Sequence, residues 1–321
     1  MPGSGTRTFL DLEQYEASLR RAQIGVLIAP RLGFEARLVW AELHQLLLLR
    51  CDEEFPRIGF LSSPPRLATV TFCERSSSTP VWRGTKMQAG DIMFHSLGER
   101  LHQATAGPSV WSVIALDPAR LDEYGRIFAE RPISPPLKGQ ILRPSPRDAA
   151  RLRRLHAQAC RLAETKSGIL AHPEVSRAIE QDLIPALVTC LTAASIQEIG
   201  TAERNHARIM IRFEEVLAAH PGQPLRMPDL CELIGVTDRT LRSCCAEFIG
   251  ISPQRYMLLR RLKQVRAALF DADPGTASVA ELARHHGFTQ LGRFAGMYRA
   301  VFGEPPSTTL GRVRQARFTD P

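Results

Sequence analysis

The spacing of apolar residues separates a first part of the chain with strand-like patterns from a later part with helical ones. Between Gly25 and Asp117 the apolar segments are short, rich in β-branched and aromatic residues, and separated by Gly, Pro and Ser clusters, as in strands joined by turns. The predicted strands are ARLVWAEL (36–43), LATVTFC (67–73), DIMFH (91–95) and SVWSVIAL (109–116). RGTK (83–86) and QAGD (88–91) are predicted turns. This pattern favours a small β-barrel or sandwich.

After a Pro-rich stretch at residues 131–148, which we expect to be a loop, the apolar period becomes helical. One helix is predicted to open at Ser145 and Pro146, and a second to run from Pro173 to Cys190. These two helices either pack within one chain or form a dimer interface. From His206 onward the chain is predicted to be helical, with short Gly/Pro turns.

Two stretches in the last third repeat one plan, PDLCELIGVTDRTLRSCCAEFIGISP (228–253) and SVAELARHHGFTQLGRFAGMYRAVFGEPP (278–306). Each has a short amphipathic helix, a glycine turn at Gly235 or Gly287, and a longer helix. A tight turn between helices requires a positive φ, which glycine tolerates best. The repeat therefore predicts two helix-turn-helix units.

The ends and cores of both units can be predicted from residue type. Thr237 and Thr289 are expected to cap the second helix of each unit, and Ser278 with Glu281 fits a capping box. The predicted core residues are Leu230, Leu233, Val236, Leu241, Cys245 and Phe248 in the first unit, and Leu282, Phe288, Phe294, Tyr298 and Phe302 in the second.

A helix over residues 253–270 is predicted to join the two units. Its expected apolar face consists of Leu258, Leu262, Val265 and Leu269, and its basic residues Arg260, Arg261, Lys263 and Arg266 fall largely off that face. A rigid connector fixes the separation of two recognition helices, which must lie about 34 Å apart to enter successive major grooves.

Residues 206–312 resemble the DNA-binding domain of the AraC/XylS transcription regulators, on the segments GVTDRTL, FIGISPQRYMLLRRL and ELARHHGFTQLGRFAGMYRAVFGEPPS. The first 200 residues resemble the cupin-like sensor domain of part of that family, on residues 82–107 and 171–191. The resemblance implies an α+β fold. It divides the chain into a cupin-like β-barrel or sandwich at 1–140, connecting helices at 141–204, an all-α double helix-turn-helix domain at 205–313 and a tail at 314–321.

The resemblance implies a sequence-specific transcription regulator controlled by a small-molecule effector. Its partners would be double-stranded promoter DNA, with RNA polymerase, an unidentified effector and a second copy of the chain as further candidates, and no cofactor or membrane. The implied base-contacting positions are Arg239, Arg242, Ser243, Gln290, Gly292, Arg293 and Gly296. The implied DNA-backbone positions are Thr237, Thr240, Arg260, Arg261, Lys263, Thr289 and Arg299. Because Gly292 and Gly296 have no side chain, base contacts by the second unit would depend on Arg293 and Gln290. Trp82 and His102 are tentative effector contacts.

Charge and cysteine content fit this interpretation. The formal net charge is +8, and residues 206–321 alone contain 16 basic and 11 acidic residues, as suits a polyanionic partner. Seven scattered cysteines without a CxxC pair, and an N-terminus without an apolar signal segment, lead us to expect a cytoplasmic, nucleoid-associated protein. The adjacent Cys244 and Cys245 are expected to be packing residues rather than a redox pair.

Two alternatives remain open. In one, the N-terminal half is a metal-dependent cupin enzyme. His95, Glu99 and His102 would be its metal ligands, although their spacing does not match a His-x-His pair. In the other, the regulator is dimeric and independent of any effector. No Ser/His/Asp order, P-loop or dinucleotide glycine motif is found, and the acidic pairs at 53–54 and 214–215 are expected at the surface, so we predict that the chain is not an enzyme.

Overall fold

The protein is described by a computed structural model covering residues 3–19, 24–28, 34–197, 200–220 and 225–311. The chain forms two compact units, one built mostly from residues before Gly200 and the other mostly from Thr201 onward. The first is rich in strands and the second is helical, which confirms the predicted α+β class. The predicted tail at 314–321 lies outside the described residues, and the exact domain boundaries stay a prediction.

Two sheets form the framework of the first unit. Its strands are β1 (Gly5–Phe9), β2 (Ile24–Ile28), β3 (Ala36–Glu42), β4 (Leu46–Glu53), β5 (Arg57–Ser62), β6 (Ala68–Ser76), β7 (Val81–Trp82), β8 (Thr85–Lys86), β9 (Ile92–Phe94), β10 (Arg100–Thr105), β11 (Ser109–Leu116), β12 (Gln140–Arg143) and β13 (Ser195–Ile196). The larger sheet has the order β1-β3-β4-β11-β6-β9-β12-β13 and the smaller β2-β5-β10-β7-β8. All neighbouring pairs of the larger sheet are antiparallel.

The central strands of the larger sheet are apolar on both faces. In β4, Leu46 and Leu48 pack into a core shared with the helices, whereas Leu47 and Leu49 line a cavity towards the smaller sheet. Strand β11 alternates in the same way. Side chains of a strand alternate between faces, so a strand buried on both sides appears in the sequence as a continuous apolar run. The LLLL segment at 46–49 is therefore the centre of a strand.

The outer face of the larger sheet is covered by α2 (Pro118–Ala129), α3 (Pro146–Thr165) and α4 (Pro173–Thr192). Helix α1 (Leu12–Leu19) lies on the other face, where its Leu19 lines the cavity. The predicted opening of α3 is confirmed, because Ser145 is its N-cap and accepts a hydrogen bond from the backbone N–H of Asp148 at 3.2 Å. Leu152 of α3 and Leu183 of α4 are fully buried in the core, which anchors both helices to their own sheet.

The second unit is largely helical within the described residues, and six of its helices form the architecture of the predicted DNA-binding domain. They are α5 (Thr201–Ala219), α6 (Met227–Ile234), α7 (Asp238–Ile249), α8 (Pro253–Asp271), α9 (Val279–His285) and α10 (Leu291–Phe302). Helices α6–α7 and α9–α10 are the two predicted helix-turn-helix units, and α8 is the predicted connector.

Two predictions about the fold are wrong. The Pro-rich stretch at 131–148 is not all loop, because it contains β12, whose Ile141 and Leu142 are buried where the strand pairs with β9. The acidic pairs do not lie wholly at the surface. Glu53 is buried and accepts hydrogen bonds from Tyr15 at 2.6 Å and Arg57 at 2.9 Å. A buried carboxylate requires such partners, and here they come from residues distant in the chain or one strand away.

Candidate nucleic-acid interface

The first helix-turn-helix unit has the predicted turn and cap. Gly235 ends α6 with φ +80°, and its N–H donates to the carbonyl of Cys231 at 2.8 Å. Thr237 is the N-cap of α7, and its hydroxyl accepts from the N–H of Thr240 at 3.2 Å. This bond satisfies one of the free N–H groups at the helix start and fixes the direction in which α7 leaves the turn.

The core of the first unit is mostly as predicted. Leu230, Leu241, Cys245 and Phe248 are buried, and Val236 is half-buried. Leu233 is 42% exposed, so its prediction as a core residue is wrong. The buried face of α6 is centred on residues 230 and 231, which leaves Leu233 on the flank of this short helix.

The second unit has the same turn but different caps. Gly287 has φ +78°, as predicted. Helix α10 starts later than expected, with Gln290 rather than Thr289 as N-cap, and no side chain makes the capping hydrogen bond. Ser278 is the N-cap of α9, but its side chain makes no capping bond either. Both predicted side-chain caps of this unit are therefore wrong.

Aromatic rings form the core of the second unit. Phe288, Phe294 and Tyr298 are buried, with successive ring centroids 4.9 and 5.6 Å apart, while Phe302 and Leu282 are half-buried. This core holds α10 against the turn although the helix lacks a side-chain cap.

The apolar face of the connecting helix α8 is as predicted at Leu262, Val265 and Leu269, which are buried. At the start of the helix Tyr256 and Leu259 are buried instead of Leu258, which is half-buried, so the prediction for Leu258 is wrong. The hydroxyl of Tyr256 donates to the buried carboxylate of Glu214 on α5, which fixes this face inward. The surface prediction for the 214–215 pair is therefore wrong for Glu214, while Glu215 is exposed as predicted.

Arg266 was expected off the apolar face of α8 but is only 7% exposed. Its guanidinium donates to Glu304 at 3.2 Å and lies over the ring of Phe302, 4.6 Å from the centroid. A guanidinium can stack on an aromatic face while its edge makes a charged hydrogen bond, so this arginine joins the connector to the second unit.

The first turns of α7 present a polar surface. Arg239, Arg242 and Ser243 are exposed, as is Asp238. The Nε of Arg242 donates to the carboxylate of Asp238 one turn earlier, at 2.9 and 3.0 Å. This exposed pair is worth little for stability, so the guanidinium can exchange its partner for a base edge or phosphate at small cost.

The corresponding surface of α10 has fewer side chains. Gln290, Arg293 and Arg299 are exposed, and Arg293 donates to the side-chain oxygen of Gln290 at 3.2 Å. Gly292 and Gly296 are also exposed, and a Cβ added at either would meet no atom within 4 Å. Packing within the described structure therefore does not require either glycine.

The predicted backbone-contacting residues differ in their surroundings. Thr237 and Thr289 are exposed beside the two recognition helices. Arg260 instead makes an ion pair with buried Glu214. Arg261 lies over the ring of Phe288, 5.0 Å from its centroid, and burial lowers the pKa of its guanidinium. Thr240 and Lys263 are half-buried.

Comparison with known proteins identifies this domain. Residues 230–312 match a family described as a helix-turn-helix domain. The chain is 30% identical over 153 residues to a probable thc operon regulatory protein of Rhodococcus erythropolis, covering 47% of this chain and 45% of the relative. It is 38% identical over 99 residues to XylDLEGF operon transcriptional activator 3 of Pseudomonas putida, covering 31% of this chain and 30% of the relative. The C-terminal region is an AraC/XylS-type helix-turn-helix domain.

The matches to these curated relatives span less than half of their length. Among solved structures, the chain is similar to the AraC-like transcriptional activator CuxR, with a TM-score of 0.43 and 17% identity, over 82% of this chain and 94% of that one.

The unit that precedes the AraC/XylS-type domain contains an apolar cavity of about 150 Å³ between its two sheets. Its wall includes Trp40, Leu49, Leu61, Leu101 and Val113. This cavity was not predicted from the sequence, because its lining consists mainly of aliphatic residues from several strands, and such residues also occur in any protein core. The only signal was the two-sided apolar character of those strands.

The tentative effector residues are not among the described residues that line this cavity. Trp82 is fully buried, and its ring packs edge-on against His95, which does line the cavity, with centroids 5.9 Å apart. His102 is buried with its ring 4.8 Å from that of Phe60.

Within the described ranges, no group of three His, Cys, Asp or Glu side chains is placed to hold a metal ion. In the same ranges, every helix is too short or too polar to cross a membrane.

Proposed function

We propose that this protein is a sequence-specific transcription regulator that binds promoter DNA through both helix-turn-helix units. The observation that carries the proposal is the pair of recognition helices, α7 and α10, each following a left-handed glycine turn and each exposed at its N-terminal end. An α-helix fits the major groove, and helix N-termini suit phosphate oxygens. One relative is named an operon transcriptional activator, and on that ground we infer an activating role. A cytoplasmic location and a contact with RNA polymerase are part of the same proposal.

Base recognition is assigned mainly to α7. Arg239 and Arg242 have the length and charge to donate two hydrogen bonds to guanine, and Ser243 adds a hydroxyl on the same exposed surface. In α10, Arg293 with Gln290 takes this role. Gly292 and Gly296 offer only helix backbone, so that part of α10 can lie close to the DNA without reading a base.

Phosphate contacts are assigned to Thr237, Thr240, Thr289 and Arg299 beside the recognition helices, and to Arg261 and Lys263 on the connector. Arg260 fits this role less well, because its guanidinium already pairs with Glu214. Such contacts position the protein on the duplex and strengthen binding to all sequences.

We further propose that an effector occupies the cavity of the N-terminal unit. A cavity of about 150 Å³ with an aliphatic wall accommodates a molecule of about the size of benzene. No Asp, Glu, Lys or Arg is among the described residues that line it, which favours an uncharged ligand. Thr71 and His95, joined at 2.9 Å, belong to the polar part of the wall, together with Ser18, Ser62, Ser63 and Thr69. In this arrangement Trp82 acts by supporting His95 rather than by touching the effector.

A homodimer is proposed because an apolar groove lies between α3 and α4. Its half-buried residues Leu155, Leu162, Val175 and Ile179 lie beside the core. Sedimentation equilibrium at micromolar concentration is expected to give a dimer, and a monomer alone would contradict this assignment.

Selection of duplexes from a random pool tests the DNA-binding function. The full chain is expected to enrich a defined site, whereas enrichment of no site would overturn the proposal.

A thermal-shift assay tests the binding of an effector. Neutral single-ring compounds should raise the melting temperature, and their carboxylate analogues should not. If carboxylates alone raise it, the proposed ligand class is wrong while the DNA-binding function stands.

A further inference from the structure

A cysteine, a histidine and a glutamate meet beneath α3 in the N-terminal unit. His156 on α3 is fully buried, and its Nδ1 lies 3.7 Å from the Sγ of Cys160, one helical turn further on. The same Nδ1 lies 3.6 Å from a carboxylate oxygen of Glu74 on β6. Two residues of α3 and one distant residue of β6 thus form a continuous array of thiol, imidazole and carboxylate.

The hydrogen bonds around the ring indicate where its protons lie. The Nε2 of His156 is 3.3 Å from the carbonyl oxygen of Val113, and a carbonyl can only accept, so Nε2 carries a hydrogen. Nδ1 therefore either accepts a proton from the Cys160 thiol or holds it between the thiolate and the Glu74 carboxylate. This is the arrangement in which an imidazole activates a thiol as a nucleophile.

The surrounding charges favour the state with a charged imidazolium. Burial lowers the pKa of His156, but the Cys160 sulfur and the Glu74 carboxylate outweigh it and raise the pKa to about 9. Burial raises the pKa of Glu74, but hydrogen bonds from His156 and Ser112 and the charge of Arg50 lower it to about 2. The carboxylate is therefore ionised at neutral pH and stabilises the imidazolium.

Cys160 is only 1% exposed but belongs to the wall of a pocket of about 320 Å³, from which a small molecule would approach the sulfur. The charged and titratable groups that face the array from α3, β3, β4 and β6 are Arg161, Glu164, Arg37, Arg50, Cys51, Asp52 and Glu74. Three arginines and three carboxylates line this pocket, so neither cations nor anions are favoured. A small neutral polar molecule suits such a pocket better than an ion.

We propose that Cys160 is a redox-reactive cysteine whose thiolate is oxidised to a sulfenic acid by a hydroperoxide. The Sγ attacks one peroxide oxygen, an S–O bond forms and the O–O bond breaks. The departing hydroxide takes the proton from Nδ1 of His156 and leaves as water, or as an alcohol if the peroxide is organic. Sulfur is oxidised by two electrons and the peroxide is reduced by two. Glu74 is a positioning residue, which holds the imidazolium.

Trapping of sulfenic acid tests this proposal on the full chain. The protein is treated with hydrogen peroxide and dimedone, and labelling of each cysteine is followed by peptide mass spectrometry. Cys73 is the internal control, because it is half-buried and therefore more accessible than Cys160, yet burial raises its pKa to about 11. We expect Cys160 to be labelled at least about tenfold faster than Cys73. Labelling of Cys73 without labelling of Cys160 would overturn the proposal.

A histidine variant separates an activated thiol from an accessible one. The His156→Gln variant should lose about tenfold or more of the Cys160 rate, while His172→Gln, at an exposed histidine of the same unit, should not change it. If His156→Gln does not fold, the comparison of Cys160 with Cys73 in the unmodified chain decides, and equal labelling rates for the two cysteines would contradict the proposal.

Discussion

Gly235 and Gly287 give the two helix-turn-helix units the same left-handed turn, yet the helices that follow differ in almost every polar detail. Helix α7 starts with a bonded threonine cap and carries an exposed Asp238–Arg242 ion pair. Helix α10 has no side-chain cap and two glycines on its exposed surface. The cores differ as well, since leucine, cysteine and one phenylalanine fill the first unit and stacked aromatic rings fill the second.

In our proposal, this difference means that the two recognition helices contribute differently to DNA binding. Glycine inside a helix costs roughly 0.5–1 kcal/mol relative to alanine. No described atom lies close enough to Gly292 or Gly296 to require glycine there. Any advantage of these glycines would therefore come from a molecule, such as DNA, that approaches the exposed surface of the helix. We interpret α7 as the main source of base discrimination, and α10 as a helix that lies close to the DNA and contributes fewer base contacts.

The largest expected effect is on sequence-specific binding by the first unit. Replacing Arg239 or Arg242 by Ala should weaken binding to the selected site by about 1–3 kcal/mol, because a two-bond contact to guanine is lost. Binding to random DNA should change much less. Affinities are measured at fixed salt on both duplexes.

The matched control for Arg242→Ala is Arg126→Ala on α2, which removes an exposed arginine paired with Asp122 one turn earlier, as Arg242 is with Asp238. It should leave both affinities unchanged. Equal losses on selected and random DNA for the α7 variants would remove the base-contact assignment.

The next effect concerns the caps. Thr237→Ala should lower the free energy of unfolding by about 1 kcal/mol, because an N–H at the start of α7 loses its acceptor. Gln290→Ala should change stability little, since the Gln290 side chain makes no capping bond. Denaturant titration of the full chain measures both. Similar losses for the two variants would mean that the units are capped alike.

The smallest expected effect separates stability from binding. Gly296→Ala should raise the free energy of unfolding by roughly 0.5–1 kcal/mol, because the new methyl group meets no atom and the helix gains propensity. The same change should weaken DNA binding if α10 lies close to the duplex. A more stable variant with unchanged affinity would show that this surface does not approach the DNA.

Sequence analysis predicted best what depends on local geometry. The turns at Gly235 and Gly287 followed from the need for positive φ, and the α3 cap at Ser145 followed from a serine before proline. The predictions were wrong where contacts between residues distant in the sequence determine whether a side chain is buried. Leu233 has a core-type side chain but lies on a helix flank. Arg266 is buried because Phe302 at the end of α10 and Glu304 in the segment after it pack against it.

The sites outside the DNA-binding domain were not predictable for the same reason. The cavity wall consists of alternate residues of several strands, each unremarkable alone. Glu74, His156 and Cys160 come together only because α3 packs on the sheet that contains β6. The DNA-contacting residues stay a prediction, since residue type and exposure identify candidates but not the bases that they touch.

Hydroxyl-radical footprinting of the full chain on a selected duplex tests the central claim most directly. If α7 and α10 enter successive major grooves, two protected segments should lie on one face of the DNA, with their centres about 10–10.5 base pairs apart. In the Arg239→Ala variant, protection should weaken more at one of these segments than at the other. One protected segment alone, or two on opposite faces of the duplex, would contradict binding by both units.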